Sequence, residues 1–218
     1  MRGRKKTFRL RPIPRQAYEL YRRHFFIIFP CYLVLAIISL LNKIIIPHFS
    51  TRFTVTLVDI AISFISFIIA LTLYMYLEHT DNDSSISIAK STLFTVKRLP
   101  IILLTMVILT VVIFAGLIAF IIPGIYFFLK YSQTIFPVLL REMGIKEALQ
   151  LSAKVTKGVR LKLFLFYVIV EFTVLIITVL VSVFIRPIAR EILILFPGSF
   201  TPILFFITWK MLAQRNSA

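Results

Sequence analysis

Acidic residues are scarce in this chain: nine Asp and Glu stand against 25 Lys and Arg, for a formal net charge of +16. A single cysteine, Cys31, excludes an intramolecular disulfide. His24, His48 and His79 fall in three separate segments without ligand spacing, so no metal site is expected. The sequence has no Gly-rich phosphate loop, serine elbow or His-Glu zinc motif, which removes the usual signatures of nucleotide, ester and metal chemistry. Asp81-Asn82-Asp83 resembles the opening of a calcium loop, but Ile86 stands where glycine is required and Thr92 where the bidentate glutamate is required. Over long stretches charge of either sign is missing. From Leu99 to Leu140 the 42 residues hold only Lys130.

That run spans about 63 Å as helix, close to two crossings of a hydrocarbon layer about 30 Å thick. With the Pro123-Gly124 break inside it, it reads as a transmembrane hairpin. The whole chain is 59% hydrophobic with 22 Phe, above the level of about 45–50% usual for soluble domains. Six spans are predicted, at about 25–46, 53–77, 99–122, 124–140, 162–185 and 192–212. The last is interrupted by Pro197-Gly198 and Pro202, so a broken or re-entrant element is one form it can take. The first has the flank of a signal-anchor, yet no small-residue cleavage site follows, and it reads as a retained span.

The basic residues sort by side. Arg2, Arg4, Lys5, Lys6, Arg9, Arg11, Arg15, Arg22 and Arg23 precede the first span; Lys90, Lys97 and Arg98 fall in the second connection. Arg141, Lys146, Lys154, Lys157, Arg160 and Lys162 fall in the fourth, and Lys210 and Arg215 at the C-terminus. The other side has Lys43, Arg52, Arg186 and Arg190. The positive-inside bias places both termini in the cytoplasm of a bacterial inner membrane, and this placement argues against a nucleic-acid partner. The division is a basic arm with an interfacial helix at 1–24, one membrane domain at 25–212 and a tail at 213–218.

Each inner segment predicts an amphipathic helix ahead of a hairpin. In the first, Pro14 suits a helix start, and Ala17, Leu20, Tyr21 and His24 lie opposite Arg15, Glu19, Arg22 and Arg23. In the second, Ser84 or Ser85 caps, Ile86, Ala89, Leu93 and Val96 form the stripe, and Lys90 and Lys97 face water. In the third, Ile145, Ala148, Leu149, Ser152, Val155 and Val159 align away from Lys146, Glu147, Lys154 and Lys157, and Gly158 breaks the helix. The outer turns each carry a proline, Pro47, Pro123 and Pro197, separated by 76 and 74 residues. The fold class is thus an all-α membrane protein, a six-helix bundle of three hairpins each preceded by an interfacial helix. The periodicity fits a threefold internal repeat, and equally a six-span chain that merely has short loops.

The stretch 122–164 has Pro123-Gly124-Ile125-Tyr126, then Lys130, Pro137-Val138, Glu142, Ala148-Leu149 with Ser152, and Lys157-Gly158; ahead of it Arg98-Leu99-Pro100 closes the second amphipathic helix. In order and spacing this resembles a broad bacterial membrane-protein family, which includes the membrane domain fused to some glycerophosphodiester phosphodiesterases and many small stand-alone six-span proteins. The resemblance covers about residues 84–185. It implies a six-helix bundle and carries over no phosphodiesterase activity, since that domain is absent.

Asp59, Lys130 and Glu171 are the ionisable exceptions inside the spans. Asp59 shares a helical face with Ser63 and Ser66; Lys130 with Gln133 and Thr134; Glu171 with Thr178 and Ser182. Lys130 falls about 10 Å from the Pro123 turn and Glu171 about 13–14 Å from Lys162, within a core of about 30 Å, so a Lys130–Glu171 pair is expected. Its role is a structural ion pair fixing helix register or the centre of a polar path, the remaining reading being independent snorkelling or lipid contact by each group. Arg15, Arg22, Arg23, Lys154, Lys157 and Arg160 are the candidates for lipid headgroups, anionic lipid among them. Trp209-Lys210 fits an anchor at the inner interface.

The expected function is non-enzymatic and needs no cofactor. It is an integral membrane component supporting envelope homeostasis, or the export of or resistance to a membrane-active compound, with membrane lipids and a protein partner or transporter subunit at its basic face. The alternatives are a small transporter or channel through Asp59, Lys130 and Glu171, and a lipid-modifying membrane enzyme.

Overall fold

A computed structural model describes residues 10, 12–49, 52–81, 87–184 and 187–217; side chains are described for these except at 35, 39–49, 52–55, 59, 81, 182–184, 187–199, 216 and 217. The described residues form α1 (Pro12–Arg23), α2 (Phe25–Phe49), α3 (Arg52–Asp81), α4 (Ile88–Ala119), α5 (Ile121–Tyr131), α6 (Ile135–Leu140), α7 (Ile145–Thr156), α8 (Arg160–Phe184) and α9 (Pro187–Ser217). No strand occurs among them. Thr56–Thr80, Ile88–Ala119 and Arg160–Val181 are long and apolar enough to cross a membrane, and α1 with the start of α2 forms a fourth candidate bent by 84°. The arm at 1–9, the residues 82–86 and the side chain of Asp59 lie outside what is described.

Two of these long apolar helices, α4 and α8, turn most of their large side chains outward. On α4 the buried side consists of Ser91, Thr95, Ile102, Thr105, Leu109 and Gly116, while Leu104, Val107, Val111, Phe114 and Ile118 point outward. On α8 only 11% of the apolar window is buried. On α4 four of the six buried residues are small or hydroxyl-bearing and the large aliphatic ones point outward, an arrangement that suits a helix in lipid. The main core lies where α1, α7 and the C-terminal half of α9 meet the ends of α3, α5 and α8, around Phe206, Ile13, Leu77, Val155, Leu163 and Leu212.

Two of the three expected amphipathic helices form as read. In α1, Ile13, Ala17, Leu20 and Tyr21 are buried with His24 beyond the helix end, and Arg15, Glu19, Arg22 and Arg23 are exposed. In α7, Ala148, Ser152 and Val155 are buried while Lys146, Glu147 and Lys154 are exposed; Gly158 follows at φ +79°, the left-handed conformation that ends the run. The second does not exist as a separate element. α4 continues through Pro100, its cap is Ser87, and Leu93 and Val96 are exposed whereas Ser91 and Thr95 are buried. Proline removes one helical hydrogen bond and crowds the preceding turn, but 32 residues of otherwise unbroken helix carry the chain across it.

The turns differ from expectation as well. The α4–α5 reversal falls at Phe120, in extended conformation, and Pro123 sits in the first turn of α5, where a missing N–H costs nothing. Pro197-Gly198 is not a turn: α9 runs unbroken from Pro187 to Ser217 and takes in most of the expected tail. The expected span 124–140 is two pieces, α5 and α6, separated at 132–134.

Contacts among distant segments gather the basic residues at one end. Arg98 of α4 forms an ion pair with Glu142 in the α6–α7 connection, its second guanidinium nitrogen donating to the Glu142 carbonyl at 3.2 Å. Arg141 lies over the Trp209 ring at 5.4 Å, and Arg215 reaches the neighbourhood of Gly158. Glu142 holds φ +53°, a strained conformation for a residue with a side chain. Glu142→Ala should therefore lower stability in detergent by about 1 kcal/mol more than Glu142→Gly, because both lose the carboxylate and only alanine keeps the strain. Equal melting of the two variants would show that Arg98, not backbone conformation, governs this turn.

Candidate functional site

The break between α5 and α6 is built by side chains from elsewhere. The Lys130 carbonyl, free at the end of α5, accepts hydrogen bonds from Ser152 Oγ at 3.0 Å and Thr156 Oγ1 at 3.2 Å, both on α7. Ser132 Oγ and Thr134 Oγ1 donate to the Leu129 and Tyr131 carbonyls at 3.1 and 2.7 Å. The Gln133 N–H donates to Ser152 Oγ at 3.3 Å, so one serine serves both sides of the gap. Pro137 has no N–H for the Gln133 carbonyl, which prevents the helix from resuming earlier.

Gln133 is fully buried, and its amide Nε2 donates to the Tyr167 hydroxyl of α8 at 2.6 Å. Its Oε1 has no partner. Whichever way the amide is turned, one polar end meets the phenol and the other is unmatched.

Lys130 and Glu171 form no ion pair. The Lys130 ammonium lies over the rings of Tyr131 and Phe127, at 4.9 and 5.9 Å from their centroids. The expectation rested on depth alone, which sets a level but not a face: the α5 residues that line a crevice with Glu171 are Gly124, Ile125, Phe128 and Leu129, not Lys130. The expected face of Lys130, Gln133 and Thr134 is likewise divided, since Gln133 and Thr134 are fully buried and Lys130 is half-exposed. Ser66 donates to its own helix, at the Ile62 carbonyl, at 2.8 Å; Ser63 is exposed and Thr178 half-buried.

Glu171 instead lines an apolar crevice of about 400 Å³ between the α4–α5 hairpin and α8, with Gly124, Phe128, Phe164, Tyr167 and Phe172 among its walls. That volume is in the range of about 300–1,000 Å³ typical of small-molecule sites. Glu171 is exposed and borders the crevice with its carbon atoms, the lining being almost wholly apolar, so its carboxylate does not face into it. An ionised side chain at the centre of a span costs about 2.5–3.5 kcal/mol unless it meets water or a partner.

A second, polar hollow of about 240 Å³ lies between α1 and α9, bordered by Gln16, Glu19, Arg23, Lys210 and Gln214. Of the headgroup candidates, Arg23 edges this hollow, Arg15 is paired with Glu19 at 3.0 Å, and Arg22, Lys154 and Lys157 are exposed. Arg160 is drawn inward: it donates to the Tyr126 hydroxyl at 2.6 Å and the Ala153 carbonyl at 3.3 Å, tying α8 to α5 and α7. Trp209 is no interface anchor. It is 2% exposed and stacked on Phe136 with ring centroids 5.7 Å apart. At the α1–α2 bend, burial first and Arg23 second hold the His24 imidazole below its ordinary pKa, against the edge of Tyr76 at 5.8 Å.

The residues that sequence reasoning missed are Thr156 and Tyr167; Tyr126 was noted only as part of a motif, without its Arg160 partner. Tyr167 stands four residues before Glu171, a spacing that places both on one helical face. Among the described residues no three His, Cys, Asp or Glu side chains come together as a metal site would need. No family model, no curated protein and no solved structure matches this chain.

Proposed function

We propose that the chain is a six-span protein of a bacterial cytoplasmic membrane with both termini inside, a divergent member of the family that its residues 84–185 resemble. Its work is non-enzymatic: it supports envelope homeostasis, or the export of or resistance to a membrane-active compound. The observation that carries this reading is the basic end. There α1, bent 84° from the start of α2, lies along α9 and leaves Arg23 and Lys210 at the rim of a polar hollow. A helix turned across the bundle, apolar below and basic above, suits the headgroup layer of an anionic leaflet, where each cation contributes about 1 kcal/mol. The inner-face contact to anionic lipid or a partner subunit belongs there.

The test has two parts. Cysteine labelling at both tails of the membrane-embedded protein should require permeabilised cells. Cells lacking the protein should become sensitive to membrane-active compounds, with Arg23→Glu plus Lys210→Glu only partly restoring protection. A tail labelled from outside, or unchanged sensitivity, overturns the reading.

A transporter is the second reading, favoured by the broken α5–α6 helix and the unmatched Gln133 amide, since interrupted helices place backbone and amide groups at transport sites. It expects Gln133→Leu to abolish flux while the protein level is retained.

A further inference from the structure

The hollow between α1 and α9 has more polar chemistry than the packing of two helices needs. Gln16, Glu19 and Arg23 line it from α1 and Lys210 and Gln214 from α9, with Leu20, Ile207 and Met211 completing the wall, and polar atoms form most of its surface. Its charges do not balance within the protein. Glu19 is answered by Arg15 at 3.0 Å, and Glu78 of α3 acts electrostatically on Lys210. Arg23 is exposed and has no ion pair among the described residues. One positive charge is thus left over beside a cavity of about 240 Å³. An ammonium has three donors, so Lys210 can serve Glu78 and a guest together; the two amides and the Glu19 carboxylate add acceptors suited to hydroxyls. The volume falls below the range of about 300–1,000 Å³ that encloses a whole small molecule, so the hollow admits a headgroup and leaves the rest of its bearer outside.

We infer that this hollow seats the headgroup of one anionic phospholipid, a phosphodiester with a single negative charge and free hydroxyls. Arg23 and Lys210 donate to the phosphate oxygens, and the headgroup hydroxyls donate to the Glu19 carboxylate and the amide oxygens of Gln16 and Gln214. The acyl chains stay in the leaflet. The inference rests on the inner-leaflet placement of this end proposed above, and gives the contact there a ligand class and a stoichiometry. Since its partners come from both helices, the lipid is a clasp between α1 and α9. It binds only where the two are paired, and so stabilises that pairing by mass action.

The full-length protein, stripped of lipid in a neutral detergent, is titrated with phosphatidylglycerol and followed by native mass spectrometry and thermal melting. One phosphatidylglycerol should be retained per chain, and the melting midpoint should rise with its concentration. Amide exchange should slow in α1 and in the C-terminal half of α9. Phosphatidylcholine, which has no net charge, should bind at least tenfold more weakly. Phosphatidic acid, which is charged but has no headgroup hydroxyl, should bind at least threefold more weakly. Arg23→Gln and Lys210→Gln should each weaken phosphatidylglycerol at least fivefold, while Lys97→Gln, an exposed cation of α4 outside the hollow, should change nothing. Equal binding of phosphatidylcholine or phosphatidic acid overturns the inference, as does unchanged affinity in the Arg23 and Lys210 variants. Displacement of the lipid by inorganic phosphate would reassign the hollow to a free anion and overturn it too. The lipid comparisons on the wild-type chain decide the matter even if a variant fails to fold. The two readings fail separately. A tail labelled from outside the cell removes the inner-leaflet placement, whereas loss of the lipid preference with the topology intact removes the headgroup seat alone.

Discussion

Gly124→Ala is expected to cost the detergent-solubilised protein about 1–3 kcal/mol, the range for forcing an extra carbon into a filled space. A Cβ there would stand 2.4 Å from Leu117 Cγ and Cδ2, and 2.9 Å from the Leu117 backbone nitrogen. The side chain can turn away, but the backbone of α4 cannot. Gly116 faces the same contact from the other side, with its would-be Cβ 3.0 Å from the Gly124 Cα. The two glycines let α4 and α5 touch along their main chains, and alanine at either would wedge the hairpin apart. Gly144→Ala serves as the control, because nothing lies within 4 Å of that position. Thermal melting followed by cysteine reactivity or light scattering should show the larger drop for Gly124→Ala, with Gly144→Ala losing no more than the roughly 0.5–1 kcal/mol of a poorer N-cap on α7. Identical melting of the two would refute the close approach.

The second large effect is a non-additive one at the helix break. Ser152→Ala removes the partner of the buried Gln133 N–H, at a cost of about 1–3 kcal/mol for a stranded donor, while Thr156 still holds the Lys130 carbonyl. Thr156→Val keeps volume and leaves that carbonyl to Ser152, so it should cost less. The double variant strands the carbonyl as well. Its loss should exceed the sum of the singles by about 1 kcal/mol, as groups sharing one partner do. Strict additivity in denaturation of the three variants would mean that the two hydroxyls act separately.

How much of this was legible depended on whether the deciding residues lay near one another in sequence. The faces of α1 and α7 could be read from 3–4 spacing, because a charge every turn leaves one arrangement open. Gly158 was legible for the same reason: the break is made by the residue itself. Pro100 and Pro197 were misleading. A proline's local cost of about 3 kcal/mol is smaller than what a long helix gains by staying continuous among its neighbours. The stripe on α4 was inverted because hydrophobicity was assumed to point inward, whereas Leu93 and Val96 face outward and Ser91 and Thr95 face protein. The break at 132–134 was invisible because its partners, Ser152, Thr156 and Tyr167, lie 19 to 34 residues away. The Lys130–Glu171 pairing was argued from depth alone and failed because depth does not say which face of α5 meets α8.

The contact between α1 and α9 has a consequence for how the chain is made. α1 finds its resting place on α9, a helix synthesised about 180 residues and some 10–40 s later. Through that interval Ile13, Ala17 and Leu20 have only the membrane surface, or a chaperone, to cover them. Ribosome stalling or a stop codon ahead of Phe200 would therefore yield a fragment with an unsatisfied apolar edge at its beginning, which marks incomplete chains for quality-control proteases before any other defect becomes apparent.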